Sequence, residues 1–474
     1  MREDEGMDGH QARGDLLGVL CGPEAETLLR QALESSGVVL SGWALEQVYA
    51  RPGAEVSARY RVQCTAPLGS PPGPLPRQTG AAEPTGLTAT IELTATNDNT
   101  PPTELTMVAS TVTLTPEQRA LMGAVRADSS QGTVHLWVHP VDPELPGLLV
   151  VEQPTHSPAA GGAELPGETE RLEGSELLGS TELESRLSRL LGEPCRLQSL
   201  QLLVLRPLRR AVYRAVVASA RGQRVVYLKV VRPSRTAQLL ARHGCSPLIP
   251  AVADAGDGIL VIDQAPGLAL TSLLYRPAAQ ADLQLTVPPD PEVLISALET
   301  LRPESLEMPP RVPPVQRLDA LAASALAAGA DPDRVARLRI RIAAGLRERP
   351  GPVVPTHGDF HPANLFLDVE AHRPSGLIDA DTVGPGYRAD DLATMLGHLL
   401  VLPSFDAHGY AAVPEFARRF HSRCLIETEA ADLGARTAAV LLSLLPGASG
   451  PDQREHHLGC AEQLVRQTGA RAQS

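Results

Sequence analysis

The sequence predicts an α+β protein with more than one domain, and the distribution of apolar residues carries this prediction. Residues 199–231 consist of consecutive β-branched and apolar runs that are typical of adjacent strands. Residues 317–350 and 411–470 have the spacing of amphipathic helices. Two stretches rich in Pro and Gly, 67–86 and 152–168, are typical of a surface loop and an interdomain linker. The chain has 474 residues, enough for two or three domains with their own cores.

Shorter signals locate further elements. Residues 234–244 predict a short helix that ends at Gly244. Residues 258–267 predict a buried strand followed by a Pro-Gly break. Residues 132–139 are strand-like, and the helical stretch 317–350 is interrupted at Asp331, which precedes a proline. The prediction is therefore a strand-rich part followed by a helix-rich part.

Charge and composition exclude several classes of function. The net charge is −13, which argues against nucleic acid or an anionic membrane as the main partner and suits a small cationic substrate better. The first twenty residues are acidic at the start and lack the order of a secretory signal, and no apolar run approaches the length of a membrane span. The six cysteines are scattered without a C-x-x-C pair, which predicts free thiols. We therefore expect a cytoplasmic protein.

Lysine is unusually rare in this chain. Among 42 basic residues, Lys229 is the single lysine, and it lies in the predicted strand RVVYLKVV. A compact ammonium fits against phosphate oxygens in a way that the planar guanidinium of arginine does not. Lys229 is thus a candidate phosphate-binding residue. The alternative is that the lysine arose by chance at a solvated strand end and has no specific role.

Asparagine is also rare, and its position marks a second site. Of the three asparagines, Asn364 lies in HGDFHPANLFLD, residues 357–368, which is followed by GLIDADTVGPGYRADDLA, residues 376–393. These two segments supply Asp359, Asn364 and Asp379. Oxygen groups of this kind on adjoining loops can hold magnesium and orient a hydroxyl, as phosphoryl transfer requires.

The two segments resemble the motifs of the aminoglycoside phosphotransferase family, small-molecule kinases with a protein-kinase-like fold. The resemblance covers roughly residues 195–470. It implies a bilobal protein-kinase-like fold with a β-rich N-lobe and an α-rich C-lobe. It also implies that Asp359 is the catalytic base, that Asn364 and Asp379 bind Mg²⁺, and that ATP or GTP is the phosphoryl donor.

The same resemblance assigns supporting roles. It implies that His357 and Asp391 fix the catalytic loop and that Lys229 binds the nucleotide phosphates. The backbone near Gln264 would then hydrogen-bond the adenine ring at the hinge. Tyr227 shares a strand face with Lys229 and would approach the base.

The predicted domains follow from these assignments. Residues 171–265 form the N-lobe and residues 266–474 the C-lobe, preceded by an α+β cap-like domain in residues 1–170. Residues 50–62 echo residues 205–217, which suggests a decayed copy of the N-lobe in which TATIELTAT takes the place of the Lys229 strand. An unrelated small α+β domain is the alternative.

Other chemistries are disfavoured by local sequence. His357 and His361 have the spacing of zinc ligands on a helix, but Gly358 and Pro362 oppose a helix there. His456, His457 and Cys460 lie in an amphipathic helical pattern. A Walker-type loop is excluded because Lys229 does not follow a glycine. A protein kinase is disfavoured because no long activation segment follows Asp379.

The predicted function is therefore a Mg²⁺- and ATP- or GTP-dependent phosphotransferase that acts on a hydroxyl of a small metabolite such as an aminosugar, a sugar or an amino alcohol. The alternative is a catalytically silent pseudokinase that serves as a nucleotide-sensing or regulatory module. Two observations keep this alternative open. Residues 230–253 contain no acidic partner for Lys229, and RPLRRAV replaces a glycine-rich loop between the first two strands. No sequence pattern indicates an oligomer interface.

Overall fold

The structure is a computed structural model that describes seven stretches of the chain. These are residues 16–34, 37–49, 55–65, 103–152, 181–276, 288–368 and 373–471. The chain divides into two compact units. The first comprises Met1–Thr236 and Ala253–Ile262, and the second comprises Ala237–Val252 and Asp263–Ser474. The predicted boundaries at residues 170 and 265 stay predictions.

The first unit begins with a five-stranded antiparallel sheet preceded by a helix. The strands are ordered β1-β2-β3-β5-β4. The apolar side of helix α1 covers one side of this sheet, where Leu28 and Leu29 pack with Tyr60 and Met107. The elements are α1 Glu24–Glu34, β1 Val39–Tyr49, β2 Ser57–Thr65, β3 Thr103–Ser110, α2 Pro116–Met122, β4 Val125–Ser129 and β5 Gly132–Val138.

A second five-stranded sheet follows in the same unit. Its order is β6-β7-β8-β10-β9, and the helix before it begins with a capping box between Thr181 and Glu184. Leu183 and Leu187 of that helix pack against Tyr213 and Leu228 of the sheet. The elements are α3 Gly147–Val151, α4 Glu182–Leu191, β6 Cys195–Arg206, β7 Arg210–Ser219, β8 Gly222–Val231, α5 Thr236–His243, β9 Val252–Asp254 and β10 Ile259–Asp263.

The two sheets have the same design. In each, a helix precedes three consecutive antiparallel strands, a second helix follows the third strand, and the last strand pairs with the third. Each second strand carries a buried tyrosine, Tyr60 in β2 and Tyr213 in β7, and each tyrosine is 1% exposed. Tyr60 lies opposite Leu45 and Tyr213 opposite Leu202, and a bulge follows directly after both partners.

A second bulge repeats at the same distance from the two tyrosines. In the first sheet it lies between the partners of Gln63 and Cys64, and in the second between the partners of Val216 and Val217. Bulges are specific local features that re-aim a strand, so two at matching positions indicate a shared design. In the first sheet β2 pairs with Thr103–Ser110, and the predicted counterpart of the Lys229 strand, TATIELTAT, lies outside the described residues.

The second unit is mostly helical and holds two small sheets, β11-β13-β14 and β12-β15. Its core is formed chiefly by helices α7 and α10 to α12 together with the strands that carry the motif segments. The elements are β11 Leu268–Ala269, α6 Leu270–Leu274, α7 Pro291–Glu299, α8 Leu318–Ala327, α9 Pro332–Gly345, β12 Val353–Thr356, β13 Leu365–Leu367, β14 Pro374–Leu377, β15 Gly384–Tyr387, α10 Arg388–Val401, α11 Val413–Cys424, α12 Ala430–Leu444 and α13 Pro451–Arg471.

Several predicted elements are confirmed. The α+β class, the strands in 199–231 and the helix that ends before Gly244 are all present. The interruption at Asp331 is also confirmed, because its side chain caps helix α9 by accepting from the Arg334 N–H at 2.9 Å. The six cysteines are free thiols. Within the described residues, we find no helix with the length and apolar content that a membrane span needs.

Candidate active site

The loop that contains Asp359 follows strand β12 and turns sharply at Gly358. Gly358 has φ of +78°, in the left-handed region, and a Cβ at this position would lie 2.8 Å from the Thr382 carbonyl oxygen. Only glycine combines this backbone with such a close approach. The turn therefore brings the loop against the segment that follows Asp379.

Asp391 holds this loop from beneath. Its two carboxylate oxygens accept hydrogen bonds from the backbone N–H groups of His357 and Gly358, each at 2.8 Å. Asp391 is 1% exposed, and burial raises its pKa to about 6, although the two N–H groups oppose that rise. This is the geometry that the predicted loop-fixing role requires. The His357 ring is fully buried next to Phe360.

Asn364 ties the loop together at its other end. Its side-chain Nδ2 donates to the Asp359 carbonyl oxygen at 2.9 Å, and its own N–H donates to the His361 carbonyl at 2.9 Å. Its carbonyl oxygen accepts from the N–H of Ile378 at 2.9 Å. Asn364 thus connects the Asp359 loop to the residue before Asp379, and its amide oxygen is left as a candidate metal ligand.

Asp379 adopts an unusual backbone conformation. Its φ and ψ are 55° and 50°, in the left-handed region, and a single turn of 3-10 helix, Ala380–Thr382, follows. Aspartate tolerates this conformation better than most residues, but it still costs about 1 kcal/mol or more. Such strained residues are concentrated at functional sites. The structure therefore brings Asp359, Asn364, His357 and Asp391 together and links Asp379 to them through the backbone.

The carboxylate of Asp359 lies beside a cationic side chain. Arg311 Nη2 is 3.3 Å from Asp359 Oδ1, and His361 Nε2 is 3.8 Å from Oδ2. The Asp359 side chain is 33% exposed, so a substrate hydroxyl has access to it. His361 stacks on His398 with ring centroids 4.4 Å apart.

The histidines around Asp359 are neutral at pH 7. Burial lowers the pKa of His357 to about 4 and that of His398 to about 3, and it also lowers the pKa of His361. Neighbouring carboxylates oppose the shift at His357 and His361, but desolvation is larger. The positive charge next to Asp359 therefore comes from Arg311.

The predicted nucleotide-binding residues lie on other elements. Lys229 is in β8 of the first unit, opposite Val212, and is 5% exposed. Tyr227 lies two residues earlier on the same side of the strand and is half-buried. Gln264 follows directly after β10 and is exposed. Their roles stay predictions.

Two arginines of this site were missed by the sequence analysis. Arg311 lies in a proline-rich segment, MPPRVPP, where no spacing pattern marks it. Arg242, at the end of α5, is 5% exposed and donates to the backbone carbonyls of Asp381 and, at 3.0 Å, Pro309. The guanidinium of Arg242 thus connects helix α5 to the segment after Asp379.

Other polar residues near the motifs have structural partners. Asp390, next to Asp391, accepts from Arg436 at 2.6 Å. His361 lies in a turn, not on a helix, in agreement with the prediction from Gly358 and Pro362. His456 lies on α13 and its Nε2 is 2.9 Å from the Leu400 carbonyl.

The comparison with known families agrees with the motif geometry. The phosphotransferase enzyme family model matches residues 234–425. This stretch contains every predicted site residue except Tyr227 and Lys229. The match confirms the resemblance and the kinase-like α+β class. The matched stretch, which is less than half of the chain, is similar to the phosphotransferase enzyme family. No curated protein sequence matches this chain.

Similar solved structures come from the same class. A thermostable mutant of aminoglycoside phosphotransferase APH(4)-Ia in its apo form has 17% identity and a TM-score of 0.41, with 60% of this chain and 99% of that chain covered. An aminoglycoside-3'-phosphotransferase of type VIII has 20% identity and a TM-score of 0.35, with 55% and 99% covered. Macrolide 2'-phosphotransferase type I has 18% identity and a TM-score of 0.35, with 60% and 95% covered.

Proposed function

We propose that this protein is a Mg²⁺-dependent kinase of the cytoplasm that transfers the γ-phosphoryl group of ATP or GTP to a hydroxyl of a small metabolite. One observation carries the proposal. The Asp359 loop is held by Asp391 at its start and by the Asn364 side chain at the Asp359 carbonyl, while its carboxylate stays accessible. A carboxylate fixed in this way can orient an attacking hydroxyl.

The proposed reaction assigns the proton to Asp359. The substrate hydroxyl oxygen forms a bond to the γ-phosphorus, and the bond from that phosphorus to the β,γ-bridging oxygen breaks, which releases the nucleoside diphosphate. Asp359 accepts a hydrogen bond from the hydroxyl and takes its proton late in the step. In phosphoryl transfer, catalysis is mainly positioning and electrostatic stabilisation.

The donor set suits magnesium. The side-chain N–H of Asn364 donates to the Asp359 carbonyl, so the side-chain amide oxygen remains as a candidate ligand. Asp379 supplies a carboxylate. Oxygen ligands of this kind are those that Mg²⁺ prefers. When bound, the ion would neutralise phosphate charge, and Asn364 and Asp379 would hold it.

Nucleotide binding is assigned to three residues. We propose that Lys229 binds the phosphates, that the backbone near Gln264 hydrogen-bonds the base, and that Tyr227 stacks on it. The support for Lys229 is chemical, because an ammonium makes compact contacts with phosphate oxygens. Lys229 is also the single lysine of the chain.

The charge beside Asp359 bears on the acceptor. Arg311 lies 3.3 Å from the Asp359 carboxylate, and its charge, added to burial, lowers the pKa of Arg317. An arginine beside the proposed base, with a second arginine interacting with it, opposes a polycationic acceptor and favours a neutral or anionic one. Among the three predicted acceptor types we therefore favour a sugar hydroxyl over aminosugars and amino alcohols.

A pseudokinase is the second candidate, and the composition of helix α5 favours it. The helix contains no acidic residue, and Arg242 at its end contacts the carbonyls of Asp381 and Pro309. In protein kinases, a glutamate of the corresponding helix pairs with the phosphate-binding lysine. A protein without that pair can retain nucleotide binding and lack transfer.

The first test measures the melting temperature with and without Mg-ATP and Mg-GTP. Ligand at about 100 times its dissociation constant stabilises the folded state by roughly 2.7 kcal/mol. We expect a shift in the wild type that Lys229→Ala loses, and that Asp379→Asn loses at the Mg²⁺ concentration that suffices for the wild type. Arg224→Ala, on the exposed part of the same strand as Lys229, is the matched control and should keep the shift.

The second test measures transfer. Pools of neutral, anionic and cationic hydroxyl compounds are incubated with Mg²⁺ and the nucleotide that gave a shift, and phosphorylated products are identified by mass spectrometry. A product that Asp359→Asn does not form supports the kinase. A nucleotide shift without any product would favour a nucleotide-sensing pseudokinase, and the absence of a shift in a folded protein would contradict the kinase and favour a binding or regulatory module.

A further inference from the structure

The turn between β6 and β7 packs against one side of the first sheet. It consists of residues 207–209, and the Leu208 side chain is fully buried. Leu208 packs with Val108 of β3 and Trp137 of β5, both of which are 1% exposed. A contact with two buried side chains of another sheet is unusual for a turn, since turns generally lie at the surface.

Both backbone groups of Leu208 are also bound. Its N–H donates to Asp142 Oδ2 at 2.8 Å, and its carbonyl accepts from Arg232 Nε at 2.9 Å. Arg232 is in turn 3.0 Å from Glu144. Asp142 is 7% exposed, and its other oxygen accepts from the Glu144 N–H at 2.9 Å. Buried hydrogen bonds of this kind hold the turn in one position.

Leu208 has a backbone conformation that requires such support. Its φ is +65°, a value that is uncommon for residues other than glycine and that costs about 1 kcal/mol or more. The surrounding contacts retain it in this conformation. The neighbouring Arg209 forms an ion pair with Glu55, which lies just before β2, with 3.6 Å between Arg209 Nε and Glu55 Oε1.

The matching registers of the two sheets identify the side that Leu208 covers. Tyr213 lies opposite Leu228, and the next pair is Val212 and Lys229. In the first sheet Tyr60 lies opposite Met107, and the next pair is Arg59 and Val108. Val108 is therefore the counterpart of Lys229.

We propose that the first sheet is a second copy of the Lys229 sheet whose nucleotide-facing side has become a docking surface for the β6–β7 turn. Leu208 is then a positioning residue that keeps this turn over the nucleotide phosphates. In protein kinases a glycine-rich loop between the first two strands covers the phosphates, and here RPLRRAV occupies that place. This inference rests on the proposed function, because it assumes that the Lys229 sheet binds a nucleotide.

The docked turn also determines how many nucleotides one chain is expected to bind. The first sheet has valine in place of the lysine, and Leu208 occupies the side where a nucleotide would lie. The first sheet therefore binds no nucleotide, and the whole chain binds one. Calorimetric titration of the full-length wild type with Mg-ATP should give one site, and two sites would overturn the inference.

The main test replaces Leu208 with glycine in the full-length protein. Glycine accepts φ of +65° without strain, so Leu208→Gly removes the side chain and keeps the turn. We expect the KM for nucleotide to rise severalfold while kcat at saturating nucleotide stays within about twofold, because binding and not the chemical step is weakened. Amide hydrogen exchange at residues 206–210 should accelerate.

A pair of adjacent substitutions controls for loss of stability. Val108 and Met107 are neighbours in β3, both buried, on opposite sides of the sheet. Val108→Ala and Met107→Ala should both lower the melting temperature. Only Val108→Ala should raise the nucleotide KM and accelerate exchange in the turn.

The outcomes separate this inference from the proposed function. If the wild type binds and turns over nucleotide but Leu208→Gly has an unchanged nucleotide KM, the positioning role is overturned and the kinase stands. If exchange in the turn is fast in the wild type, docking itself is overturned. If the wild type binds no nucleotide, the proposed function fails, and the positioning role fails with it even when the turn proves to be docked.

Discussion

The guanidinium of Arg311 lies 3.3 Å from the carboxylate of Asp359, with side chains that are 26% and 33% exposed. A cation this close to the proposed base places positive charge where the acceptor must approach. Because the pair is partly exposed, its contribution to the stability of the fold is at most about 1 kcal/mol. We therefore propose that Arg311 discriminates between acceptors.

Replacement of Arg311 by alanine should change acceptor preference. We expect Arg311→Ala to lower kcat/KM for neutral or anionic acceptors and to raise it for cationic ones, since the repulsion is removed. The measurement is the ratio of kcat/KM values for an anionic and a cationic acceptor. Arg341→Ala, at an exposed position of α9, serves as the control. An unchanged ratio in Arg311→Ala would show that this arginine does not select the acceptor.

Replacement of Asp359 by asparagine should impair turnover more than binding. Asparagine has nearly the same shape but accepts no proton, so we expect kcat to fall by about 10²- to 10⁴-fold. The thermal shift with Mg-ATP should persist. Asp333→Asn, at an exposed carboxylate on α9, should leave both quantities unchanged. An Asp359→Asn variant with normal kcat would remove Asp359 from the proposed reaction.

The magnesium dependence should change with Asp379 and Asn364. Asp379→Asn replaces a charged ligand with a neutral one, so more Mg²⁺ should be needed for half of the maximal nucleotide shift. Asn364→Asp adds a charged oxygen ligand but loses the donor to the Asp359 carbonyl, so it should need no more Mg²⁺ than the wild type and should lose kcat. Melting curves over a Mg²⁺ series check the first expectation. Equal Mg²⁺ requirements in the wild type and Asp379→Asn would contradict the ligand assignment.

The buried ion pairs that Arg436 forms with Asp390 and Asp432 should be important for the stability of the fold. Arg436 donates to Asp432 at 2.8 Å and to Asp390 at 2.6 Å, and its side chain is 5% exposed. Arg436→Met leaves two carboxylates without their cation and should cost about 3–5 kcal/mol. Urea unfolding followed by circular dichroism at 222 nm measures the loss in this helical unit. Both tryptophans, Trp43 and Trp137, lie in the first unit, and their fluorescence reports that unit separately.

A less buried arginine gives the control for this experiment, because the Arg423 side chain is 19% exposed and that of Arg436 is 5% exposed. Arg423 pairs with Glu292 and Glu427, whose side chains are 57% and 31% exposed. Arg423→Met should cost less than about 1 kcal/mol. Similar losses for the two variants would mean that the Arg436 cluster is no more important than a surface pair.

Stability should decline in acid because of a buried histidine on α13. His457 is 2% exposed, and burial lowers its pKa to about 4, below the value of about 6.5 in an unfolded chain. Its contribution is therefore complete above pH 6.5 and is lost as the pH falls towards 4. At pH 5 the loss amounts to about 2 kcal/mol.

The variant His457→Leu isolates this contribution. We expect the difference in unfolding free energy between pH 7.5 and pH 5 to be smaller than in the wild type by about that amount. His408→Leu, at an exposed histidine, should leave the difference unchanged. The prediction fails if the wild type and His457→Leu lose equal stability between the two pH values.

The motif segments were predictable from the sequence because their chemistry is local. Asp359 and Asn364 are five residues apart, and the hydrogen bond between them closes within one loop. That this segment is not a helix was predictable because Gly358 and Pro362 oppose one. The helix start at Asp331 was predictable for the same reason, since a cap depends on residues within one turn.

Arg311 and Arg242 could not be predicted from the sequence. Arg311 is 48 residues before Asp359, and Arg242 is 139 residues before Asp381. Arginine is also the ordinary basic residue of this chain, so neither position stands out by composition. Their positions beside the site are consequences of packing within the second unit.

By itself, the sequence determined the α+β class, the family that the motif-bearing segment resembles and the residues proposed for phosphoryl transfer. These depend on periodicity and on spacing within a few residues. Only the tertiary structure decided that two sheets share one register and that Leu208 packs on Val108, a hundred residues away. Strand pairing and core packing depend on shape and burial, which dissimilar sequences can satisfy equally well, so two sheets with matching strand order and bulge positions show only a faint echo in sequence.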